Sequence, residues 1–217
     1  MSRSLQDCRL YGIVDLGYVG ADSALGVVRE MIAGQVDIIQ LRAKKQTPRE
    51  VQRVASQLKP IISDAGVPFV INDHAEVARD VGADGVHIGQ DDGSVADARS
   101  IAGAQSLVGK STHSLGQAQA AAREGADYIG FGPLFATPTK PDYVAIGLNG
   151  IRSVHAQVTL PIFCIGGIKL ANLKSVIAAG ARRVVIVSGL LQAPDIAKYA
   201  HACTVLLNQH SEIRNQK

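Results

Sequence analysis

Four segments of the chain repeat one pattern, and that repeat restricts the fold more than any other feature. They are GQVDIIQLR (34–42), GADGVHIGQ (82–90), GADYIGFGP (125–133) and GARRVVIVS (180–188). Each opens on glycine, passes through a short link into an apolar run, and ends in small or polar residues. The opening glycines are 48, 43 and 55 residues apart. Glycine at each start fits the left-handed position that closes a helix. Each copy therefore predicts a helix end, a tight turn, a buried strand and a functional loop. Four more apolar runs lie between the copies: LYGIV (10–14), PFVI (68–71), SLVGKST (106–112) and PIFCIGG (161–167). Helical patterns separate the runs, among them those at 23–33, 48–62, 115–125 and 170–180.

Strands alternating with helices predict a parallel sheet. Eight such units in a chain of 217 residues predict an α/β fold, a single-domain (β/α)8 TIM barrel over residues 1–208. A flexible tail is expected at 209–217. A doubly wound sheet is the alternative, but the dinucleotide fingerprint GxGxxG is absent after the first strand, where YGIVDLGYVG stands.

The net charge of +3 comes from Lys and Arg spread along the chain, without the clustered basic patch of a nucleic-acid binder. No apolar run approaches the roughly 20 residues that span a bilayer. Cys8, Cys164 and Cys203 form no pair with metal-ligand spacing, which suits a reduced, cytoplasmic chain. The expected partners are small-molecule substrates, not nucleic acid or a membrane. A homo-oligomer is compatible with the sequence.

Active sites of such barrels stand at the C-terminal ends of the strands. In chain order those ends carry Asp15; Gln40, Arg42, Lys44 and Lys45; Asn72, Asp73 and His74; Gln90, Asp91 and Asp92; Ser111, Thr112 and His113; Thr137, Thr139 and Lys140; Gly166 and Gly167; Ser188 and Gly189. Asp73 and Asp92 follow adjacent strands, which run about 4.8 Å apart, so both carboxylates can meet one cation. Hard oxygen donors with no Cys or His cluster point to Mg²⁺. The alternative is that each aspartate caps the helix after it.

The glycines of IGGI and VSG fit a phosphate site built from backbone N–H groups of the last two loops. Arg42, Lys44 and Lys140 exceed what one phosphate needs, and with Mg²⁺ they suit a second, more charged group such as a diphosphate. The loop GPLFATPTKPD (132–142) brings Thr137, Thr139 and Lys140 on a segment stiffened by prolines. One monophosphate site and one Mg²⁺–diphosphate site predict two substrates, with diphosphate as leaving group.

QLRAKK, INDHAEVARDVGADGVHIGQDD, GKSTHS, DYIGFGPLFATPTKPD and CIGGI together resemble the thiamine phosphate synthase family over nearly the whole chain. The resemblance implies Mg²⁺-dependent joining of 4-amino-2-methyl-5-(diphosphooxymethyl)pyrimidine to 4-methyl-5-(2-phosphooxyethyl)thiazole. The implied products are thiamine phosphate and pyrophosphate. It implies that Gln40, Leu41, Arg42, Lys44, Asn72, Ser111 and Lys140 bind the pyrimidine diphosphate. Of these, Arg42, Lys44, Ser111 and Lys140 would act in catalysis. Thr137, Pro138, Thr139, Gly166, Val187 and Ser188 would bind the thiazole phosphate, and Asp73 and Asp92 would hold Mg²⁺.

Two departures stand out. The family usually has an acidic residue where this chain has Ala43, which predicts a looser diphosphate site if that acid orients Arg42 or Lys44. Arg182 and Arg183 replace an Asp-Gly pair and are expected on the barrel face away from the chemistry. His87 lies inside a strand and is expected as a packed residue or as one that supports the residues touching substrate. The related thiazole tautomerase, with His113 as acid–base, and a non-catalytic phosphate binder are the alternative readings.

Overall fold

The structure, a computed structural model, describes residues 3–137 and 144–215, with side chains through 209. Eight parallel strands close into a barrel in sequence order. They are β1 (Leu10–Asp15), β2 (Ile38–Arg42), β3 (Phe69–Asn72), β4 (Gly85–Ile88), β5 (Leu107–Thr112), β6 (Tyr128–Phe131), β7 (Ile162–Cys164) and β8 (Val184–Ile186). The helices around them are α1 (Ala24–Ala33), α2 (Pro48–Asp64), α3 (Ala75–Asp80), α4 (Val95–Ala102), α5 (Leu115–Arg123), α6 (Ile151–Gln157), α7 (Leu170–Ala178), the short α8 (Ser188–Leu191) and α9 (Ile196–Asn215). The predicted single-domain barrel is the observed fold. Helix α9 runs across residue 209, where the tail was expected to begin.

Alternation along each strand divides the apolar residues into two layers. Leu10, Val14, Ile39, Leu41, Ile71, Val86, Val108 and Ile129 face outward and pack under the helices. Tyr11, Ile13, Ile38, Val70, Tyr128, Phe163 and Val185 face inward and fill the barrel. The Phe163 ring meets Tyr11 edge-on at 5.4 Å and Tyr128 edge-on at 5.6 Å, the arrangement that aromatic quadrupoles favour. Glycine makes room for this cluster. A Cβ on Gly109 would stand 2.1 Å from the Tyr128 ring.

Local signals set the helix starts. In α2, Thr47 accepts the Glu50 N–H and Glu50 accepts the Thr47 N–H, with Pro48 in the first turn. Ser94 and Ser114 cap α4 and α5 by accepting the Asp97 and Gln117 N–H groups. Gly82, Gly125 and Gly180 take the left-handed turns expected of the repeat, with φ of 64°, 83° and 113°.

The first copy differs. There Gln35 takes the positive φ, 65°, and Gly34 serves a different need. A Cβ on Gly34 would lie 2.5 Å from Ala200 Cβ and 2.6 Å from the Ala197 carbonyl. Glycine here lets α9 close against the end of α1.

The N-terminal end of the barrel is tied shut. Arg183 donates to the carbonyls of Cys8 and Gln6 at 3.1 and 2.9 Å, and Arg3 pairs with Asp37. Arg183 therefore lies on the face expected for it, where it anchors the segment before β1.

Candidate active site

The opposite end of the barrel is an open mouth whose floor is polar though enclosed. Tyr11, Gln40 and Tyr128 are all at most 2% exposed, so each polar atom there needs a partner. Gln40 Nε2 donates to the Tyr11 hydroxyl at 2.7 Å, and the Tyr11 and Tyr128 hydroxyls are 3.0 Å apart. The Tyr128 hydroxyl lies 3.2 Å from His87 Nδ1, and His87 Nε2 lies 3.0 Å from Ser111 Oγ. Burial pushes both phenols well above the usual tyrosine range, so they stay protonated.

Charge gathers above β1 to β4. Arg42 Nη1 meets Asp15 Oδ2 at 2.5 Å, with side-chain exposures of 15% and 3%. The other Asp15 oxygen accepts the Gly17 N–H at 2.8 Å, which fixes the carboxylate and through it the guanidinium. Lys44 Nζ lies 2.5 Å from Asp73 Oδ2 and 4.0 Å from Asp92 Oδ2. Burial pushes the Asp73 carboxyl up, Lys44 offsets part of that rise, and the nearby Asp92 adds to it.

Neither aspartate caps a helix. His74 is the N-cap of α3 and Ser94 that of α4. Asp92 instead accepts the Gly89 N–H at 2.8 Å. Asp73 sits at φ 65°, a left-handed conformation that costs a non-glycine residue about 1–2 kcal/mol. Its N–H donates to the His87 carbonyl at 2.9 Å, which helps to hold the turn.

Beyond β6 to β8 the wall is backbone and small side chains. Thr137, Gly166, Val187 and Ser188 line the pocket, together with Phe163 and Ile165. Gly166 and Gly167 have φ of 98° and 65°. A Cβ on Gly166 would stand 2.3 Å from Pro133, and one on Gly167 2.7 Å from Phe135 Cβ. The double glycine therefore has a packing role as well, because it seats the loop after β6. The Leu134 and Phe135 N–H groups bond there to the carbonyls of Ile165 and Gly166. The short α8 begins at Ser188, in the position where barrels of this class hold phosphate.

Of the residues read from sequence, Gln40, Arg42, Asn72, Ser111, Thr137, Gly166, Val187 and Ser188 line this one pocket. Lys44, Asp73 and Asp92 form the ion-paired cluster described above. Pro138, Thr139 and Lys140 lie outside the described residues. Leu41 does not present its side chain to the mouth. It is 0% exposed and packs in the outer layer, because it alternates with the inward-facing Gln40 and Arg42.

Two other carboxylates stand beside the cations that the family's acid at position 43 was expected to orient. Ala43 is buried in the same outer layer, while Asp15 holds Arg42 and Asp73 pairs with Lys44. Sequence reasoning placed Asp15 at the mouth without naming its partner, and gave no site role to Tyr11 or Tyr128. Strand parity was the available signal, since all three share the inward face with Gln40 and Arg42.

Residues 10–190 match the family described as "Thiamine monophosphate synthase". A thiamine-phosphate synthase of Chloroflexus aurantiacus is 42% identical over 207 residues, covering 95% of each chain. One of Halalkalibacterium halodurans is 40% identical over 206 residues, 94% of this chain and 98% of that protein. The solved thiamine phosphate pyrophosphorylase of Pyrococcus furiosus superposes with a TM-score of 0.86 at 30% identity, covering 95% of this chain and 98% of that one. On this footing the chain belongs to the thiamine monophosphate synthase family of enzymes.

Proposed function

We propose that the protein is a Mg²⁺-dependent thiamine-phosphate synthase. Its substrates are then 4-amino-2-methyl-5-(diphosphooxymethyl)pyrimidine and 4-methyl-5-(2-phosphooxyethyl)thiazole, and pyrophosphate is released. The observation that carries this reading is the division of the barrel mouth. Arg42 lines the pocket on the β1–β4 side, where Lys44, Asp73 and Asp92 form an ion-paired cluster beyond the same strands, and Thr137, Gly166, Val187 and Ser188 line the small-residue side.

The donor set suits Mg²⁺. Asp73 and Asp92 supply hard oxygens, both reach one cation already, and the close approach of like charges is relieved by a second positive charge. Among the described residues no third His, Cys, Asp or Glu completes a metal cluster. Diphosphate oxygens and water would fill the remaining positions, as is common for this ion. When bound, Mg²⁺ would supply positive charge beside the departing diphosphate.

The chain's own residues do the rest. Arg42, fixed by Asp15, aims a rigid cationic fork at the diphosphate, and Lys44 would turn from the carboxylates toward the same group. Lys140 joins them in this reading. Negative charge grows on the leaving oxygen as its bond to the pyrimidine methylene breaks, so these cations act where charge develops. Gln40, Asn72 and Ser111 orient the pyrimidine. The β7–β8 side, with Thr137, Pro138 and Thr139, holds the thiazole phosphate and directs the ring nitrogen at the methylene carbon. That nitrogen is already nucleophilic, so no general base is required. His113 Nδ1 is hydrogen-bonded to the Gly132 carbonyl at 2.5 Å, a bracing contact between neighbouring strand ends.

The test is Asp92→Ala. Turnover at fixed Mg²⁺ should fall at least about 100-fold, with circular dichroism unchanged. Full activity with an unaltered Mg²⁺ requirement would contradict the metal assignment.

A further inference from the structure

The polar chain on the barrel floor has a direction, because one end carries an atom that can only donate. Gln40 Nε2 is an amide nitrogen, so the Tyr11 oxygen accepts from it. The Tyr128 oxygen is 3.0 Å from that of Tyr11 and 3.2 Å from His87 Nδ1; the arrangement that leaves neither buried hydroxyl proton unpaired sends the Tyr11 proton to Tyr128 and the Tyr128 proton to His87 Nδ1. An imidazole that accepts at Nδ1 carries its proton on Nε2 when neutral. In that arrangement His87 Nε2 donates to Ser111 Oγ, 3.0 Å away. Having accepted that bond, Ser111 presents its own hydroxyl proton to the pocket that it lines.

We infer that Tyr11, Tyr128 and His87 form a one-way hydrogen-bond relay that makes Ser111 a donor, and Gln40 Oε1 an acceptor, toward the pyrimidine. The relay spans three strands, β1, β6 and β4, and joins two residues of the pyrimidine site that stand on β2 and β5. The three relay members are positioning residues. They act on substrate through Gln40 and Ser111.

The arrangement has a functional consequence. A substrate edge with an N–H beside an unprotonated ring nitrogen, as in a 4-aminopyrimidine, matches the acceptor and donor so fixed. The isosteric pyrimidinone edge, with carbonyl and ring N–H exchanged in polarity, meets donor with donor and acceptor with acceptor. Such a mismatch leaves buried polar groups unpaired, the costly case in recognition. The relay thus selects the amino form, a specificity device that rests on the synthase reading above. The phenols suit the task because burial keeps them protonated, and the Tyr128 ring is held between Phe163 and Gly109.

The experiment is a ¹⁵N–¹H correlation spectrum of the histidine side chains in the ligand-free enzyme at pH 7.5, with His87 assigned from a His87→Gln variant. The relay requires a bare Nδ1 and a protonated Nε2. A proton on Nδ1, in the neutral or the doubly protonated ring, would overturn it, because the chain would then run from Ser111 toward a turned-over Gln40 amide or break at Tyr128. Tyr128→Phe supplies the functional arm and keeps the packed ring. It should raise KM for the pyrimidine diphosphate roughly tenfold and leave KM for the thiazole phosphate unchanged. An equal change in both constants, or none, would count against the relay. The spectrum needs no substrate, so it decides the relay even if turnover fails. Turnover by a protein with the reversed tautomer would reject the relay and leave the synthase reading standing.

Discussion

Replacing Asp15 by Asn tests how the cationic side of the pocket is built. The substitution keeps the side-chain shape and one oxygen for the Gly17 N–H, now 2.8 Å away. It turns the group facing Arg42 from an anion into an amide. Both partners are largely enclosed, at 3% and 15% exposure. Removing one member of a fully buried ion pair costs about 3–5 kcal/mol, mainly because the remaining charge is left uncompensated. Arg42 keeps some access to water, which brings the expected loss to about 2–3 kcal/mol. For a domain of this length each kcal/mol lowers Tm by about 2–4 °C, so a fall of roughly 5–10 °C is expected by thermal denaturation.

The kinetic consequence follows from the guanidinium's geometry. Its planar fork binds phosphate oxygens well only when its plane is fixed. The loss of that orientation is predicted to outweigh the gain of an uncompensated positive charge. The value of kcat/KM for the pyrimidine diphosphate should fall about tenfold. A Tm within 2 °C of the parent, or an unchanged or higher kcat/KM, would refute the argument that Asp15 positions Arg42.

Two further outcomes are expected. Leu41→Ala should lower stability by about 2–5 kcal/mol through a cavity under the helices and leave kcat/KM unchanged, because its side chain faces away from the mouth; denaturant unfolding with steady-state kinetics checks both. Cys8, Cys164 and Cys203 are fully buried, and burial pushes their thiols from 9.0 up to about 12. Their alkylation in the native protein at pH 8 should be at least about a thousandfold slower than in the unfolded chain. The same shift makes stability fall with rising pH, beginning near 9, because the unfolded thiols lose protons that the folded ones keep. Fast native labelling, or stability flat to pH 11, would contradict it.

The barrel was legible in the sequence because its glycine-led strands recur and its helices carry their own caps. Asp73 and Asp92 were legible as a pair, since position alone puts them beyond adjacent strands. Their freedom from helix capping was not, because IND and DDG both read as caps until His74 and Ser94 are seen to take that place. Asp15 was visible as a strand-end carboxylate, but its grip on Arg42 depends on the register that sets it opposite that residue. Tyr11 and Tyr128 are 117 residues apart, and no local pattern brings them together. The same holds for Gly34, whose need for a small side chain arises only from α9.

The most direct measurement of the central claim is product formation by the purified protein. Both substrates are mixed with it, with and without Mg²⁺, and thiamine phosphate and pyrophosphate are quantified by chromatography and mass spectrometry. Equimolar products that require Mg²⁺ and both substrates are the expected result. No thiamine phosphate under conditions where both substrates bind, or equal yield after complete removal of divalent ions, would contradict the account.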